Sequence, residues 1–352
     1  MERKFMKGNE AIAEAAVRAG CKFFAGYPIT PQNEIPEYLS WRLREVGGDF
    51  VQAESEVSAI NMVYGAASSG KPSMTSSSST GISLKAEGMS YLAQAKLPAV
   101  IINVGRCGPG LGGILPAQSD YLFATKASGH GGFKMIVFAP STVQEAVDLT
   151  YKSFDYAYRD RNPVMVLADG VVGIMMESVE LPDFKEIKAP DWALSGTENE
   201  ELKEIIPMCW SGEDLERDNI EMAKMFRRWE ENDVQYEEYM LEDAEIVIAS
   251  YGTSARICKT VIKEARKQGI KIGMLRPITL NPFPYKAFEK LDKSIVRKIL
   301  IVEMTIPSQM IEDVELGVKG QIEIDTFGRS GGVVISPEEI LNKVLEVKEG
   351  LK

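Results

Sequence analysis

Hydrophobic and polar positions alternate between two periods along the first half of the chain. Short apolar runs at Lys22-Phe-Phe-Ala25, Phe50 to Ala53, Ala99 to Val104 and Val164 to Ala168 read as strands, as does the segment Ser73 to Ser77. Between them lie stretches of helical spacing: Asn9 to Ala19, Asn33 to Val46, a helix opening at Glu56, Ile82 to Ala95 and Val143 to Tyr158. Strands alternating with helices predict an open parallel sheet covered on both faces. The pattern breaks between Leu181 and Asp243, where Pro182, Pro190 and Pro207 punctuate a polar run and a charged helix follows with Met222, Met225, Phe226 and Trp229 on one stripe. It resumes with strands at Glu245 to Ala249, Ile270 to Leu275 and Lys298 to Val302, and with Tyr251-Gly-Thr-Ser254 turning into a helix that ends at Gly269. The fold class is therefore α/β with two doubly wound parallel-sheet domains, 1–180 and 244–352, joined by an acidic connector and helix over 181–243.

The stretch Val51 to Gly70 is the sharpest local pattern. Ser55 is an N-cap, Glu56 opens the first turn, Ala59, Met62, Val63 and Ala66 recur at helical spacing, and Gly70 with Pro72 supplies the stop. So many small residues predict that something packs closely against this helix. Glu56 admits two readings. A first-turn carboxylate complements the helix dipole, worth about 0.3 to 1 kcal/mol; placed between apolar neighbours, it can also be partly desolvated and hold a proton for chemistry.

In open α/β sheets ligands bind beyond the carboxyl ends of strands. Thr30, Glu56, Thr80 and Arg106 all follow strands or begin helices at that edge. Thr30 lies in Gly26-Tyr-Pro-Ile-Thr-Pro31, where two prolines fix the loop. Two lookalikes fail. Gly65 to Lys71 resembles a phosphate-binding loop but ends a helix, with Pro72 where a hydroxyl should ligate magnesium. Gly108-Pro-Gly-Leu-Gly-Gly113 has dinucleotide spacing but is interrupted by Pro116. A mobile Gly-rich loop beside Arg106 describes the second better.

Composition narrows the partners. A net charge of -11 without a basic stripe argues against nucleic acid. The N-terminus has no apolar core of the signal-peptide kind and the most apolar stretch is broken by Asp169, so a cytoplasmic protein with no membrane segment is expected. Cys21, Cys107, Cys209 and Cys258 form no close pair, so no metal, iron–sulfur or disulfide site is expected in this chain. The single histidine, His130, sits in a glycine-flanked turn, which weakens any histidine-based catalytic scheme.

Tyr27-Pro-Ile-Thr-Pro31, Gln52-Ala-Glu-Ser-Glu56 with its small-residue helix, Gly105-Arg106, Tyr251 to Ser254 and Arg276 to Pro284 together resemble the alpha subunit of the 2-oxoacid:ferredoxin oxidoreductases, which are thiamine diphosphate enzymes. The likeness spans nearly the whole chain. It implies a thiamine diphosphate pyrimidine-binding domain followed by a transketolase C-terminal-like domain. Gly8 to Ala13 and Tyr27 to Ile35 look closest to the branch acting on 3-methyl-2-oxobutanoate (2-ketoisovalerate) and related branched 2-oxo acids, with the 2-oxoglutarate branch the nearest alternative.

By this resemblance Glu56, rather than Glu54, is the carboxylate that hydrogen-bonds the cofactor's aminopyrimidine. Arg106 binds the substrate carboxylate, Thr30 stands beside the substrate, and Tyr27, Pro28 and Ile29 lie against the cofactor. The nearest match to a diphosphate–magnesium motif, Ala168-Asp169-Gly170, lacks its first glycine and has Asn199 too far away. The resemblance therefore implies half an active site. A beta subunit would supply the diphosphate and Mg2+ site, a ferredoxin-like subunit the iron–sulfur clusters, with a gamma subunit, ferredoxin as electron acceptor and coenzyme A as cosubstrate. Competing readings are a transketolase- or dehydrogenase-type thiamine enzyme without ferredoxin, and a non-catalytic scaffold subunit.

Overall fold

The structure is a computed structural model that describes residues 2–196 and 202–351. Asn199 lies outside the described residues. The first half runs β1 (Glu2–Lys7), α1 (Gly8–Arg18), β2 (Phe23–Gly26), α2 (Glu34–Glu45), β3 (Asp49–Gln52), α3 (Glu56–Ser68), β4 (Ser73–Ser77), α4 (Thr80–Leu84), α5 (Ala86–Gln94), β5 (Val100–Gly105), α6 (Tyr121–Lys126), β6 (Ile136–Phe138), α7 (Val143–Asp160), β7 (Val164–Asp169), α8 (Gly170–Ile174) and β8 (Met176–Leu181). After α9 (Gly212–Asn232) come β9 (Tyr236–Tyr239), β10 (Ile246–Ala249), α10 (Gly252–Lys267), β11 (Ile272–Pro277), β12 (Thr279–Asn281), α11 (Tyr285–Glu289), β13 (Lys298–Glu303), α12 (Ile311–Val318), β14 (Glu323–Gly328) and α13 (Pro337–Gly350).

Two sheets carry the molecule. The larger has the order β12-β6-β7-β5-β4-β2-β3, parallel throughout except for β12. The smaller has the order β14-β13-β10-β11-β9, with only β9 antiparallel. Period-2 alternation sorts the strand side chains: in β5, Val100, Ile102 and Val104 pack with Ile12, Ala16, Leu39 and Phe154 of α1, α2 and α7, while Ile101 faces the opposite layer. That opposite layer holds Ala59, Ile60 and Val63 of α3 and Met89 and Leu92 of α5. It is continuous with Val247, Leu275 and Ile301 of the second sheet, so the two domains share one core. A separate cluster packs α10 and α13 against the far face of the second sheet.

The structure departs from the patterning at several points. The predicted helix over Ile82 to Ala95 is broken at Lys85 into α4 and α5. The polar segment β1 is a strand because β8 pairs it antiparallel through six residues. Strand β9 lies within the stretch expected to connect the domains and joins the second sheet beside β11. Two residues after β11, β12 leaves that sheet and pairs with β6 at the edge of the first, a crossing no local periodicity encodes. All four cysteines are free, His130 stands exposed in a turn, and among the described residues no helix is long and apolar enough to cross a membrane.

Candidate active site

Four adjacent strands of the larger sheet, β5, β4, β2 and β3, end side by side. The loop after β2 carries Thr30, β3 delivers Glu56, the turn after β4 contains Thr80, and β5 ends at Arg106. Sheet order thus gathers onto one edge residues that are far apart in the sequence.

Glu56 stands at the first turn of α3, whose N-cap Ser55 accepts a hydrogen bond from the Ser58 amide at 3.2 Å. The residue is 6% exposed, whereas Glu54 points to solvent. No described residue donates a hydrogen bond to the Glu56 carboxylate, an unusual state for a nearly buried charge. Gly81 forms the wall beside it. A β carbon there would lie 2.5 Å from Glu56 Oε1 and 2.1 Å from Ser77 Oγ, so only glycine lets the turn approach both groups this closely. The hydroxyls of Ser77 and Ser78 are buried without partners.

Arg106 is 6% exposed and is no surface ion pair. Its Nη1 donates to the Thr30 carbonyl at 3.1 Å, and its Nη2 donates to Thr80 Oγ1 and to the Leu111 carbonyl, both at 3.2 Å. The guanidinium therefore ties together the loop after β2, the turn after β4 and the Gly-rich loop. Of its five N–H donors the Nε–H and one Nη1 hydrogen remain uncommitted, and the Nε is buried.

Beside Arg106 lies a network that sequence reading missed. Ser79 sits at φ 38, ψ -90, a left-handed backbone state that costs a side-chain-bearing residue about 1 to 3 kcal/mol. It is held there from several directions. Its amide donates to Asn103 Oδ1 at 3.0 Å, its hydroxyl donates to Asp120 Oδ2 at 2.6 Å, and its Oγ accepts from the Arg106 amide at 2.9 Å. Asn103 also donates to Asp120 at 3.0 Å. Loss of water pushes the Asp120 carboxyl up; the Ser79 and Asn103 hydrogen bonds and the Arg106 charge offset this in part. The polar turn Ser78 to Gly81 was visible in the sequence, but nothing marked Asp120, which lies beyond the Gly-rich loop.

Tyr27 and Pro28 are exposed, while Ile29 and Thr30 are half-buried. Gln32 braces their loop: its amide donates to the Ile29 carbonyl at 3.1 Å, its Nε2 to the Tyr27 carbonyl at 3.3 Å, and its Oε1 accepts from Ser76 at 2.5 Å. Asn33 donates to Thr30 Oγ1 at 3.3 Å.

The Gly-rich loop opens no helix; the next, α6, begins at Tyr121. Leu111, Ile114 and Leu115 are exposed, but the loop's end is fixed. Gln118 Nε2 donates to the Tyr251 carbonyl at 2.8 Å, and its Oε1 accepts from Ser254 Oγ at 2.7 Å and the Met304 amide at 2.8 Å. The Tyr251 to Ser254 turn is thus a clamp onto the first domain. Asp169 completes it: both oxygens are engaged, by the Val171 and Val172 amides and by the Thr253 amide and hydroxyl. Above the clamp a cleft of about 410 Å³ opens between the domains, walled by Thr80, Arg106, Cys107 and Asp120 on one side and Thr305 and Gln309 on the other.

Residues 14–241 match the family described as pyruvate flavodoxin/ferredoxin oxidoreductase, thiamine diphosphate-binding, and residues 244–340 match pyruvate:ferredoxin oxidoreductase core domain II. The chain is 45% identical over 350 residues to the ketoisovalerate oxidoreductase subunit VorB of Methanothermobacter marburgensis, covering 99% of this chain and 98% of that protein. It is 34% identical to the 2-oxoglutarate synthase subunit KorA of Methanothermobacter thermautotrophicus, covering 98% and 99%. In structure it resembles the 2-oxoglutarate:ferredoxin oxidoreductase of Magnetococcus marinus, solved with 2-oxoglutarate, coenzyme A and succinyl-CoA bound. The TM-score is 0.82 at 26% identity, and the match covers 98% of this chain and 65% of that one, so this chain spans just under two thirds of its length. With two family matches spanning most of the chain and full-length relatives above 30% identity, the chain belongs to the thiamine diphosphate-dependent 2-oxoacid:ferredoxin oxidoreductase family.

Proposed function

We propose that this chain is the alpha subunit of a 2-oxoacid:ferredoxin oxidoreductase that oxidatively decarboxylates 3-methyl-2-oxobutanoate and related branched 2-oxo acids, working in the cytoplasm within a complex. The observation that carries the reading is the Glu56 carboxylate: nearly buried, at a strand-end edge, and without a hydrogen-bond donor in the described chain. It is a site prepared for a donor brought by a ligand. The flat, nitrogen-bearing aminopyrimidine of thiamine diphosphate is a ligand that brings such a donor.

When bound, that cofactor supplies a nucleophilic carbon for the 2-oxo group and a sink for the electrons left when carbon dioxide departs. The chain's own residues do the rest. Glu56 holds or accepts a proton at the ring nitrogen. Tyr27, Pro28 and Ile29, in a loop braced by Gln32, bound the ring on one side. Arg106 turns its uncommitted Nη1 hydrogen to the substrate carboxylate, a charge-assisted contact, and Thr30 stands beside it. The domain cleft of about 410 Å³ opens beside Thr80 and Arg106 and gives the oxo acid a way in.

The diphosphate and magnesium fall to a beta subunit in this proposal, since Asp169, the nearest candidate here, has its oxygens engaged by Thr253 and by amides. An iron–sulfur subunit passes the electrons to ferredoxin, a gamma subunit completes the assembly, and coenzyme A takes the acyl group. The branched substrate is favoured by the higher identity to the ketoisovalerate relative, 45% against 34% for the 2-oxoglutarate one.

The test is anaerobic viologen-dye reduction by the chain purified with its natural partners, with coenzyme A and thiamine diphosphate, comparing 3-methyl-2-oxobutanoate with 2-oxoglutarate. Faster reduction with the branched acid is expected. Preference for 2-oxoglutarate reassigns the substrate, and no reduction with either overturns the proposal. In the same assay Glu56→Gln lowers turnover by about two to four orders of magnitude; activity within a few-fold of the parent removes Glu56 from the mechanism.

A further inference from the structure

Lys85 is fully buried at the break between α4 and α5. Its Nζ donates to Thr75 Oγ1 at 2.8 Å, and that hydroxyl donates its own proton to the Ala25 carbonyl at 2.7 Å. An ammonium placed there gives up its hydration for a single hydrogen bond, and a straight apolar chain such as methionine would fill the space at lower cost. Packing alone therefore does not account for a lysine.

The strand that holds it suggests what does. Thr75 and Ser77 project from the same face of β4, one strand repeat, about 7 Å, apart. Lys85 bonds the first, and the hydroxyl of the second and Glu56 Oε1 both lie within 2.5 Å of where a β carbon at Gly81 would stand. Among the described residues no carboxylate makes a direct ion pair with Lys85, and Glu56 is the one group whose charge acts on it. The remaining titratable groups nearby are otherwise engaged. Glu54 and Glu87 are exposed, Glu87 with Tyr91; Arg106 bonds Thr30, Thr80 and Leu111, and Asp120 bonds Ser79 and Asn103.

We propose that Lys85 is a positioning residue for Glu56: a buried counter-charge, anchored by Thr75 behind the carboxylate, that makes Glu56 meet its ligand as a carboxylate. The inference rests on reading Glu56 as the group that faces the aminopyrimidine. Burial lowers the Lys85 ammonium to about 7, and the Glu56 charge works against that fall. A lysine that touched no ligand would still set the pH range over which the site is competent.

The test compares the parent complex with Lys85→Met, Glu56→Gln and the double variant, each assembled with its partner subunits. Two quantities are followed across pH: the dissociation constant of thiamine diphosphate with magnesium, by intrinsic fluorescence, and kcat/KM for the oxo acid. For Lys85→Met, cofactor binding is expected to weaken about tenfold at neutral pH, with the acid limb of both profiles moving up by about one unit, as for loss of one neighbouring opposite charge. Its melting temperature should hold or rise, which a merely structural lysine would not allow. In the Glu56→Gln background the Lys85→Met change should add nothing.

Parent-like profiles for Lys85→Met beside an impaired Glu56→Gln overturn the inference and leave the site reading intact. An unimpaired Glu56→Gln brings down that reading itself. Should Lys85→Met not assemble, Thr75→Val removes the ammonium's acceptor at nearly constant shape. It must then move the same acid limb, and a parent-like profile for it overturns the inference.

Discussion

Residues at the strand-end edge are legible singly but not in combination. Glu56 stood out because a helix cap and a run of small residues surround it, and Arg106 because it ends a strand beside glycines. What each touches comes from elsewhere in the chain. Gly81 illustrates the difference: it reads as one of many turn glycines, yet its missing side chain lets the turn pack directly against Glu56 and Ser77. Gly81→Ala drives a β carbon into the buried Ser77 hydroxyl and the Glu56 carboxylate, so it should lower the melting temperature and weaken thiamine diphosphate binding at least about tenfold, the effect of a misplaced group in a tight site. Undiminished affinity by titration calorimetry would show that the ring does not lie there. Arg106→Ala should raise KM for the 2-oxo acid more than it lowers kcat if the uncommitted Nη1 hydrogen binds the carboxylate. Since Arg106 also holds Thr30, Thr80 and Leu111, Arg106→Lys should rescue little, because one ammonium cannot replace a planar fork serving three loops. Saturation behaviour matching the parent's in Arg106→Ala rules out the role.

At the scale of elements, α3 shows how one sequence pattern answers two demands. Ala59, Ile60, Val63 and Ala67 face the shared core, and Ile60 packs so closely on α5 that a β carbon at Gly88 would come within 2.5 Å of it. Val57, Asn61, Met62, Gly65 and Ser69 form an exposed stripe along the opposite side. The close packing expected from the small residues is thus half met within the chain, and the open half is the face offered to a partner subunit under the proposed function. Nothing lies within 4 Å of a β carbon built at Gly65. Gly65→Trp should therefore fold as well as the parent or better, glycine being a poor helix former. It should nonetheless fail to co-purify with the other subunits. Normal assembly of this variant would move the interface off α3. The break at Lys85 is an instance of the opposite kind, in which continuous helical periodicity yields to a tertiary demand for a side chain inside the core.

In the whole molecule the domains are joined by buried polar contacts as well as by shared core. Arg276 of β11, 1% exposed, reaches into the first domain. It donates to Ser141 Oγ at 2.6 Å and to both oxygens of Glu145, at 2.8 and 2.6 Å. Burial raises the Glu145 carboxyl, but the hydrogen bonds and charge of Arg276 outweigh it, and the net shift is downward. A carboxyl lowered in the folded state adds stability above the ordinary carboxylate range, and that stability is lost as pH falls through the lowered value. Domain association should accordingly weaken in acid. Arg276→Met should cost about 3 kcal/mol, the low end for breaking a buried pair, because Glu145 is 30% exposed and can rehydrate. It should also flatten the acid limb of thermal stability. A variant with the parent's pH dependence in scanning calorimetry would assign the acid sensitivity to other groups.

The sequence by itself determined the alternation of strands and helices, the caps and stops of α3, and the strand-end placement of Thr30, Glu56, Thr80 and Arg106, because these follow from local periodicity and backbone preference. It also carried the family resemblance, since those motifs are contiguous. Only the tertiary structure decided that β5, β4, β2 and β3 lie side by side, that β12 crosses to the first sheet, that Ser79 and Asp120 stand beside Arg106, and that Lys85 is buried against Thr75. Those facts depend on sheet order and on burial. Both are set by contacts between residues distant in the chain, for which no local pattern carries a signal.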